Sequence, residues 1–242
     1  MKILAMDTSN STLSVAVLDD DKLLAQATTN VSRNHSTTLM PVIESVIKQA
    51  KLTIHEIDRI AVAKGPGSYT GLRIAATTAK VLASTLKIEL VGISSLKLLA
   101  ANITDTNRII IPMFDARRDN VFAGAYQWGK NGLVNYMEDQ HISIQELAER
   151  FQNEKVILVA SDATELYENT AAQMNKTDVK FASKKDSYPS AYVLGLMAKD
   201  EETVDIDSFI PSYLRLTQAE TQWLEKYDSE RIEYVKKFND KL

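Results

Sequence analysis

The sequence predicts an α/β fold of two related units, each led by a three-stranded meander, and three observations carry that prediction. The hydrophobic pattern switches several times between the alternation of strands and the three-to-four spacing of helices. A glycine-rich stretch, Lys64-Gly65-Pro66-Gly67-Ser68-Tyr69-Thr70-Gly71-Leu72-Arg73, joins a short apolar run to an alanine-rich helical pattern. An apolar run closed by an aspartate and followed by an alternating strand occurs twice, about 108 residues apart, on Asp7 and on Asp115. Such an echo points to a duplicated unit.

Met1 to Met6 has the apolar character of a buried strand and ends at the polar turn Asp7-Thr8-Ser9-Asn10-Ser11. Thr12 to Leu18 alternates as a half-buried antiparallel strand does, and after Asp19-Asp20-Asp21 a third strand runs from Lys22 to Thr29. From Ser36 to Lys51 the period becomes helical: Leu39, Val42, Ile43, Val46, Ile47 and Ala50 share one stripe, with Pro41 in the first turns, where its missing N–H costs least. Ile57 to Ala63 is the fourth strand. The glycine loop follows it, then a helix over Leu72 to Leu86, a strand over Ile88 to Ile93 and a helix over Leu96 to Asn102 capped by Ser94-Ser95. The order βββαβαβα defines a first unit over residues 1–104.

A second unit is expected over residues 105–216. Its strands are Arg108 to Phe114, Asn120 to Gln127, Leu133 to Met137 after the turn Lys130-Asn131-Gly132, and Val156 to Ala160. A helix over Ser143 to Phe151 opens with the capping pair Ser143 and Glu146, another runs from Ser161-Asp162 to about Met174, and a third from Pro189 to Lys199. Residues 217–242 carry Trp223, Tyr227, Ile232, Val235 and Phe238 among many charges, the pattern of a terminal helix that packs back on the body.

The helix after the glycine loop is apolar or small on more than one side. Leu72, Ala75, Ala76, Ala79, Leu82, Ala83 and Leu86 form one stripe, and Ile74 and Val81 another beside Thr77 and Thr78. Such a helix needs cover on both sides, either from its own domain or from a partner. The loop itself supports two readings as well. Its three glycines and the helix start can cradle an anion or nucleotide, or they can let two backbones pack closely. It is not a Walker loop, because no Gly-Lys-Ser/Thr follows and Lys64 precedes the glycines.

The composition narrows the function classes. The chain has 242 residues, 45% hydrophobic and 25% charged, which suits a globular fold large enough to bury real cores. No apolar run approaches the roughly 18 residues of a membrane span, and the chain opens on a strand-like segment rather than a signal peptide, so a cytoplasmic protein is expected. The absence of cysteine excludes disulfides, thiolate catalysis and sulfur-ligated metals, and the three histidines, His35, His55 and His141, form no ligand pair. A net charge of −4 argues against a protein that grips nucleic acid alone. Ser68 has neither a histidine nor a Gly-x-Ser-x-Gly elbow beside it. Asp7 and Asp115 are the weak candidates for a nucleotide or metal–phosphate site; strand-end aspartates also satisfy the N–H groups of the turn that follows them. No catalytic set and no metal set is predicted.

Four stretches carry a family resemblance: Ile3-Leu4-Ala5-Met6-Asp7-Thr8-Ser9, Gly65-Pro66-Gly67-Ser68-Tyr69-Thr70-Gly71-Leu72-Arg73, Asp115-Ala116-Arg117-Arg118 and Pro211-Ser212-Tyr213-Leu214-Arg215. In this order they resemble the TsaB (YeaZ) family, and the glycine run is the specific one. The resemblance implies an actin/Hsp70/sugar-kinase-like (ASKHA) fold of two duplicated domains. It also implies a role in making threonylcarbamoyladenosine beside the anticodon of tRNAs that read codons beginning with adenine. In that family the chemistry belongs to a paralogous partner, TsaD, whose metal-binding histidine pair lies on the helix after the fifth strand. The matching region here, Ser94-Ser95-Leu96-Lys97-Leu98-Leu99, has no histidine. The resemblance therefore implies an accessory subunit with no cofactor of its own, although ATP or ADP can sit at a subunit junction. It implies partnership with TsaD and the ATPase TsaE, tRNA contact only through the complex, and a homodimer when TsaD is absent. The partner surface is expected on the helices 36–51 and 70–86, at Leu39, Val42, Val46, Gly71, Ile74, Ala75, Thr78, Ala79 and Leu82. The alternatives are a stand-alone small-molecule kinase or ATPase on the same fold and, more weakly, a metallopeptidase.

Overall fold

Two five-stranded mixed sheets with the same internal order make up the body of the protein. The structure is a computed structural model that describes residues 1–30, 34–130, 132–160 and 164–214. The helix expected within 217–242, the turn residue Asn131, Arg215 and the Ser161-Asp162 helix start lie outside the described residues.

The first sheet contains β1 (Lys2–Asp7), β2 (Leu13–Asp19), β3 (Lys22–Thr29), β4 (Arg59–Gly65) and β5 (Glu89–Ser94) in the order β3-β2-β1-β4-β5. Strands β1, β2 and β3 form the antiparallel meander, with Met6 opposite Val15, while β4 runs parallel to β1 and β5 parallel to β4. The second sheet contains β6 (Ile109–Arg117), β7 (Asn120–Gly129), β8 (Gly132–Ser143), β9 (Lys155–Val159) and β10 (Asp178–Phe181) in the order β10-β9-β6-β7-β8. Its β6–β7–β8 meander is antiparallel and its β9 and β10 are parallel additions. Read from its own first strand, the second unit repeats the first strand for strand. The two units are therefore a duplicated pair, the plan expected of a single actin/Hsp70/sugar-kinase-like fold.

Helices α1 (His35–Gln49) and α2 (Tyr69–Leu86) cover the outer face of the first sheet. Leu39, Ile43, Val46 and Ile47 of α1 and Ala75, Ala76, Ala79 and Ala83 of α2 pack on Leu4, Met6, Val15, Ile60 and Val62. Helices α4 (Ile144–Arg150) and α5 (Thr164–Gln173) occupy the corresponding positions in the second unit, with Ile144, Leu147 and Ala148 in its core.

The last helix of each unit bridges to the other. Helix α3 (Ser95–Ala101) places Leu96, Leu99 and Ala100 against Ile110, Tyr126 and Val159 of the second sheet. Helix α6 (Ala191–Ala198) sends Ala191, Leu194 and Ala198 onto Ile3, Ala5, Ala16, Leu18 and Val91 of the first. The peptide after α6 also stays with the first sheet: Val204 N–H donates to Leu90 O at 2.9 Å, and Phe209 is 7% exposed in the α1–α2 core. Residues 191–209, assigned by sequence to the second unit, thus pack on the first.

Three local differences from the sequence expectation have direct causes. Helix α2 begins at Tyr69 rather than Leu72, because the Ser68 hydroxyl accepts the Gly71 N–H and starts the helix inside the glycine loop. Strand β8 runs on to Ser143 rather than ending at Met137, because the polar stretch after Met137 still pairs with β7, Ile142 opposite Val121. Strand β10 has only four residues, largely exposed at the sheet edge, and too little apolar periodicity to be seen in sequence.

Candidate functional site: the glycine loop, the β1–β2 turn and the outer helices

The glycine loop is closed by the chain's own first turn. Ser68 N–H donates to Ser9 O at 2.7 Å, and the Thr8 hydroxyl donates to Gly71 O at 2.8 Å. A Cβ on Gly67 would stand 2.2 Å from Ser9 O, and one on Gly71 would stand 2.0 Å from Thr8 O. Neither position has room for any side chain. Three loop amides are already engaged: Gly65 N–H with the Ser95 hydroxyl at 3.1 Å, Ser68 N–H with Ser9 and Gly71 N–H with the Ser68 hydroxyl. Of the two readings of the loop, close packing of two backbones is what its geometry displays.

The segment Pro211-Ser212-Tyr213 lies over the same loop. Ser212 N–H donates to Lys64 O at 2.6 Å, and the Tyr213 ring meets Tyr69 at the start of α2 with centroids 5.0 Å apart. Three of the four sequence motifs therefore converge on one junction.

The two echoing aspartates share a hydrogen-bond pattern but not an environment. Asp7 Oδ1 accepts the Ser9 N–H at 2.6 Å, and Asp115 Oδ1 accepts the Arg117 N–H at 2.7 Å. Asp115 is exposed inside β6, which runs on to Arg117, and its other oxygen stands 3.2 Å from the Arg117 guanidinium. Asp7 is fully buried, and its Oδ2 finds no partner among the described residues. Burial pushes the Asp7 carboxyl up to about 6, against the lowering by the Ser9 N–H and by His35. The Ser9 hydroxyl lowers it too from close by, without the geometry of a hydrogen bond.

A second acidic joint had no signal in the sequence. The Ser94 hydroxyl, at the end of β5, donates to one oxygen of Asp139 in β8, and the Tyr126 hydroxyl of β7 donates to the other. Ser94 also accepts the Leu96 and Lys97 N–H groups at the start of α3, both at 3.1 Å, so one hydroxyl caps a helix and joins the two sheets. Burial pushes Asp139 up while its two hydroxyl donors and Lys64 hold it down.

The structure separates the nine residues expected to meet a partner. Leu39, Val46, Gly71, Ala75 and Ala79 are buried beneath α1 and α2, four of them in the first unit's core, so they serve the chain's own packing. Val42, Ile74, Thr78 and Leu82 are half-buried. The apolar surface that α1 and α2 leave open is offset from the predicted stripe: Met40 is 49% and Val81 58% exposed. An open groove of about 880 Å³ runs beside α1, lined by Met40, Pro41, Ile43, Ile47, Leu52 and Leu82 among others, with Lys48, Lys51 and Glu44 at its edge. Met40 carried no signal in the sequence because it lies beside the helical stripe and not on it, and Pro41 signalled only the start of a helix. Among the described residues no group of three histidine, cysteine or carboxylate side chains is placed to hold a metal.

This arrangement, two duplicated units with the first glycine loop sealed by backbone contact, defines an ASKHA-type protein. The family model described as "TsaD: tRNA N6-adenosine threonylcarbamoyltransferase" matches residues 23–223. Within that class, the chain is 37% identical over 227 residues to the tRNA threonylcarbamoyladenosine biosynthesis protein TsaB of Bacillus subtilis (strain 168), covering 93% of this chain and 99% of that one. The chain belongs to the TsaB family. It is also 47% identical over 62 residues, 26% of this chain and 18% of the other, to the tRNA N6-adenosine threonylcarbamoyltransferase of Protochlamydia amoebophila (strain UWE25). Among solved structures it superposes on YeaZ from Pseudomonas aeruginosa with a TM-score of 0.74 at 23% identity, covering 88% of this chain and 99% of that one.

Two outcomes follow from this geometry. Gly71→Ala forces a methyl into the Thr8 carbonyl and is expected to destabilise the protein by about 1–3 kcal/mol, measured by urea unfolding, because the obstacle is backbone and cannot rotate away. For Asp7 the folded value of about 6 lies above the ordinary 3.8, so the folded chain holds the proton more tightly. The stability linked to this group is full below the ordinary value and lost as pH rises through about 6, by about 3 kcal/mol at 1.36 kcal/mol per pH unit. Asp7→Asn should therefore gain on the parent protein between pH 5 and 7.5 in urea unfolding. A constant difference across that range would show that the buried carboxyl is not the titrating group.

Proposed function

We propose that this chain is an accessory subunit in the synthesis of threonylcarbamoyladenosine in tRNA, at the adenosine beside the anticodon of tRNAs that read codons beginning with adenine. A TsaD-type partner carries the chemistry, and TsaE, an ATPase, completes the set. The observation that carries the docking part of this reading is the open apolar groove beside α1, continuous with exposed Met40 and half-buried Leu82. An apolar surface of that kind on a folded chain marks a docking site. A charged rim of Lys48, Lys51 and Glu44 suits a specific partner rather than indiscriminate association. When the partner is missing, a second copy of the chain covers the same surface.

The functional assignment rests on the TsaB relatives and on family membership. A net charge of −4 leaves the grip on tRNA to the rest of the complex. Any ATP or ADP belongs at a subunit junction, since the loop amides of Gly65, Ser68 and Gly71 already have partners within the chain. That same engagement disfavours the stand-alone kinase, which needs a loop free to receive phosphate. The protein works in the cytoplasm, beside its tRNA substrate.

Threonylcarbamoylation reconstituted from separate purified proteins is expected to need both this chain and the TsaD-type partner, with no product from this chain alone; product from this chain alone would overturn the assignment. Met40→Glu combined with Val81→Glu should leave the chain soluble and weaken capture of the partner at least about tenfold, a cost of about 1.4 kcal/mol. Ala79→Glu, by contrast, places a charge in the 0% exposed core and should cost solubility first. Unchanged capture by the Met40/Val81 double variant would exclude this face.

A further inference from the structure

The β1–β2 turn holds a set of buried polar atoms that the mechanism above does not use. Asp7 Oδ2, Ser9 Oγ, Thr12 Oγ1 and His35 Nδ1 are all buried, and none has a hydrogen-bond partner among the described residues. Their residues meet at this one turn. Asp7 holds the Ser9 N–H, Thr12 N–H donates to Asn10 Oδ1 at 2.7 Å, and His35 Nε2 lies 2.9 Å from Asn10 O. Orphaned buried groups are costly one by one, and four at a single turn call for a guest.

The chemistry of the four atoms specifies that guest. A carbonyl oxygen only accepts, so His35 Nε2 carries the hydrogen that faces Asn10, and in the neutral ring Nδ1 is then an acceptor. Asp7 Oδ2 is an acceptor as well. The two hydroxyls of Ser9 and Thr12 can each donate. Two acceptors and two donors are the complement of one water molecule, which donates twice and accepts twice. A divalent metal ion would need more negative charge than one carboxylate supplies; the hydroxyl, imidazole and carboxylate lone pairs leave a monovalent cation as the competitor that the test below separates.

We propose that the turn encloses one ordered water molecule, bound by Asp7, Ser9, Thr12 and His35, that ties the first residue of α1 to the end of β1. Because the same turn also holds the start of α2 through Ser9 O and Thr8, the site anchors both outer helices at one point. It is independent of which partner those helices meet.

The test is a crystal structure of the full chain, with crystals grown in a rubidium salt and diffraction collected at the rubidium edge. A density peak within hydrogen-bond distance of all four atoms and without anomalous signal is the expected result. A peak with anomalous signal would make the guest a monovalent cation and overturn the assignment, as would the absence of a peak. The near-isosteric Thr12→Val, which removes one donor and leaves Asp7 in place, should abolish the peak and speed hydrogen exchange of the first amides bonded within α1, from Leu39 onward, about tenfold. Exchange unchanged in a variant that has lost the peak would refute the tie to α1.

Discussion

The close approach of the glycine loop to the β1–β2 turn is the constraint on which the rest of the first unit depends. Where Gly67 and Gly71 face Ser9 and Thr8, two backbones pass at a separation that no side chain allows. That contact ties the start of α2 to the first turn of the chain, through Ser68 N–H on Ser9 O and the Thr8 hydroxyl on Gly71 O. The same contact presents Lys64 O to Ser212 and Tyr69 to Tyr213, so the late segment of the chain is seated by the early one. A loop that in a phosphate-binding protein faces a ligand is here a fastening.

Carboxylates mark the joints of this framework. Asp139, reached by Ser94 and Tyr126, links the end of the first sheet to two strands of the second, and α3 and α6 cross between the units around it. Asp7 lies at the other joint, under the start of α1. Both are pushed up by burial, which is the cost of placing a carboxyl where geometry rather than solvation decides its position.

Much of the fold was legible because local periodicity and tertiary burial agree. The first meander, the stripe of Leu39, Ile43, Val46 and Ile47, and the strand–loop–helix around Gly65 to Arg73 all appear where the pattern puts them. The echo of Asp7 in Asp115 reported a real duplication, down to the hydrogen bond each makes two residues on. The failures occurred where local pattern carries no information about distant partners. The four-residue β10 is held by β9, and the late part of β8 by β7. The fate of α6 depends on Leu18 and Val91, far away in sequence. Exposure along the expected partner stripe was illegible for a similar reason. Helical spacing identifies Leu39, Val46, Ala75 and Ala79 as apolar positions but not which side of the helix the sheet will cover.

The sequence by itself determined the two-unit α/β plan, the absence of cysteine, the glycine loop as a strand-to-helix turn open to close approach by a ligand or a second backbone, and a family whose members are named for tRNA modification. Those follow from periodicity, composition and the specific run of residues from Gly65 to Arg73. Only the tertiary structure decided that the loop is sealed by Ser9 and Thr8, that Asp7 is buried while Asp115 is exposed, and that Met40 and Val81 rather than Ala79 face outward. The physical reason is the same in each case: exposure, and with it the charge and availability of a side chain, is a property of what packs against it, and the packing partner lies elsewhere in the chain.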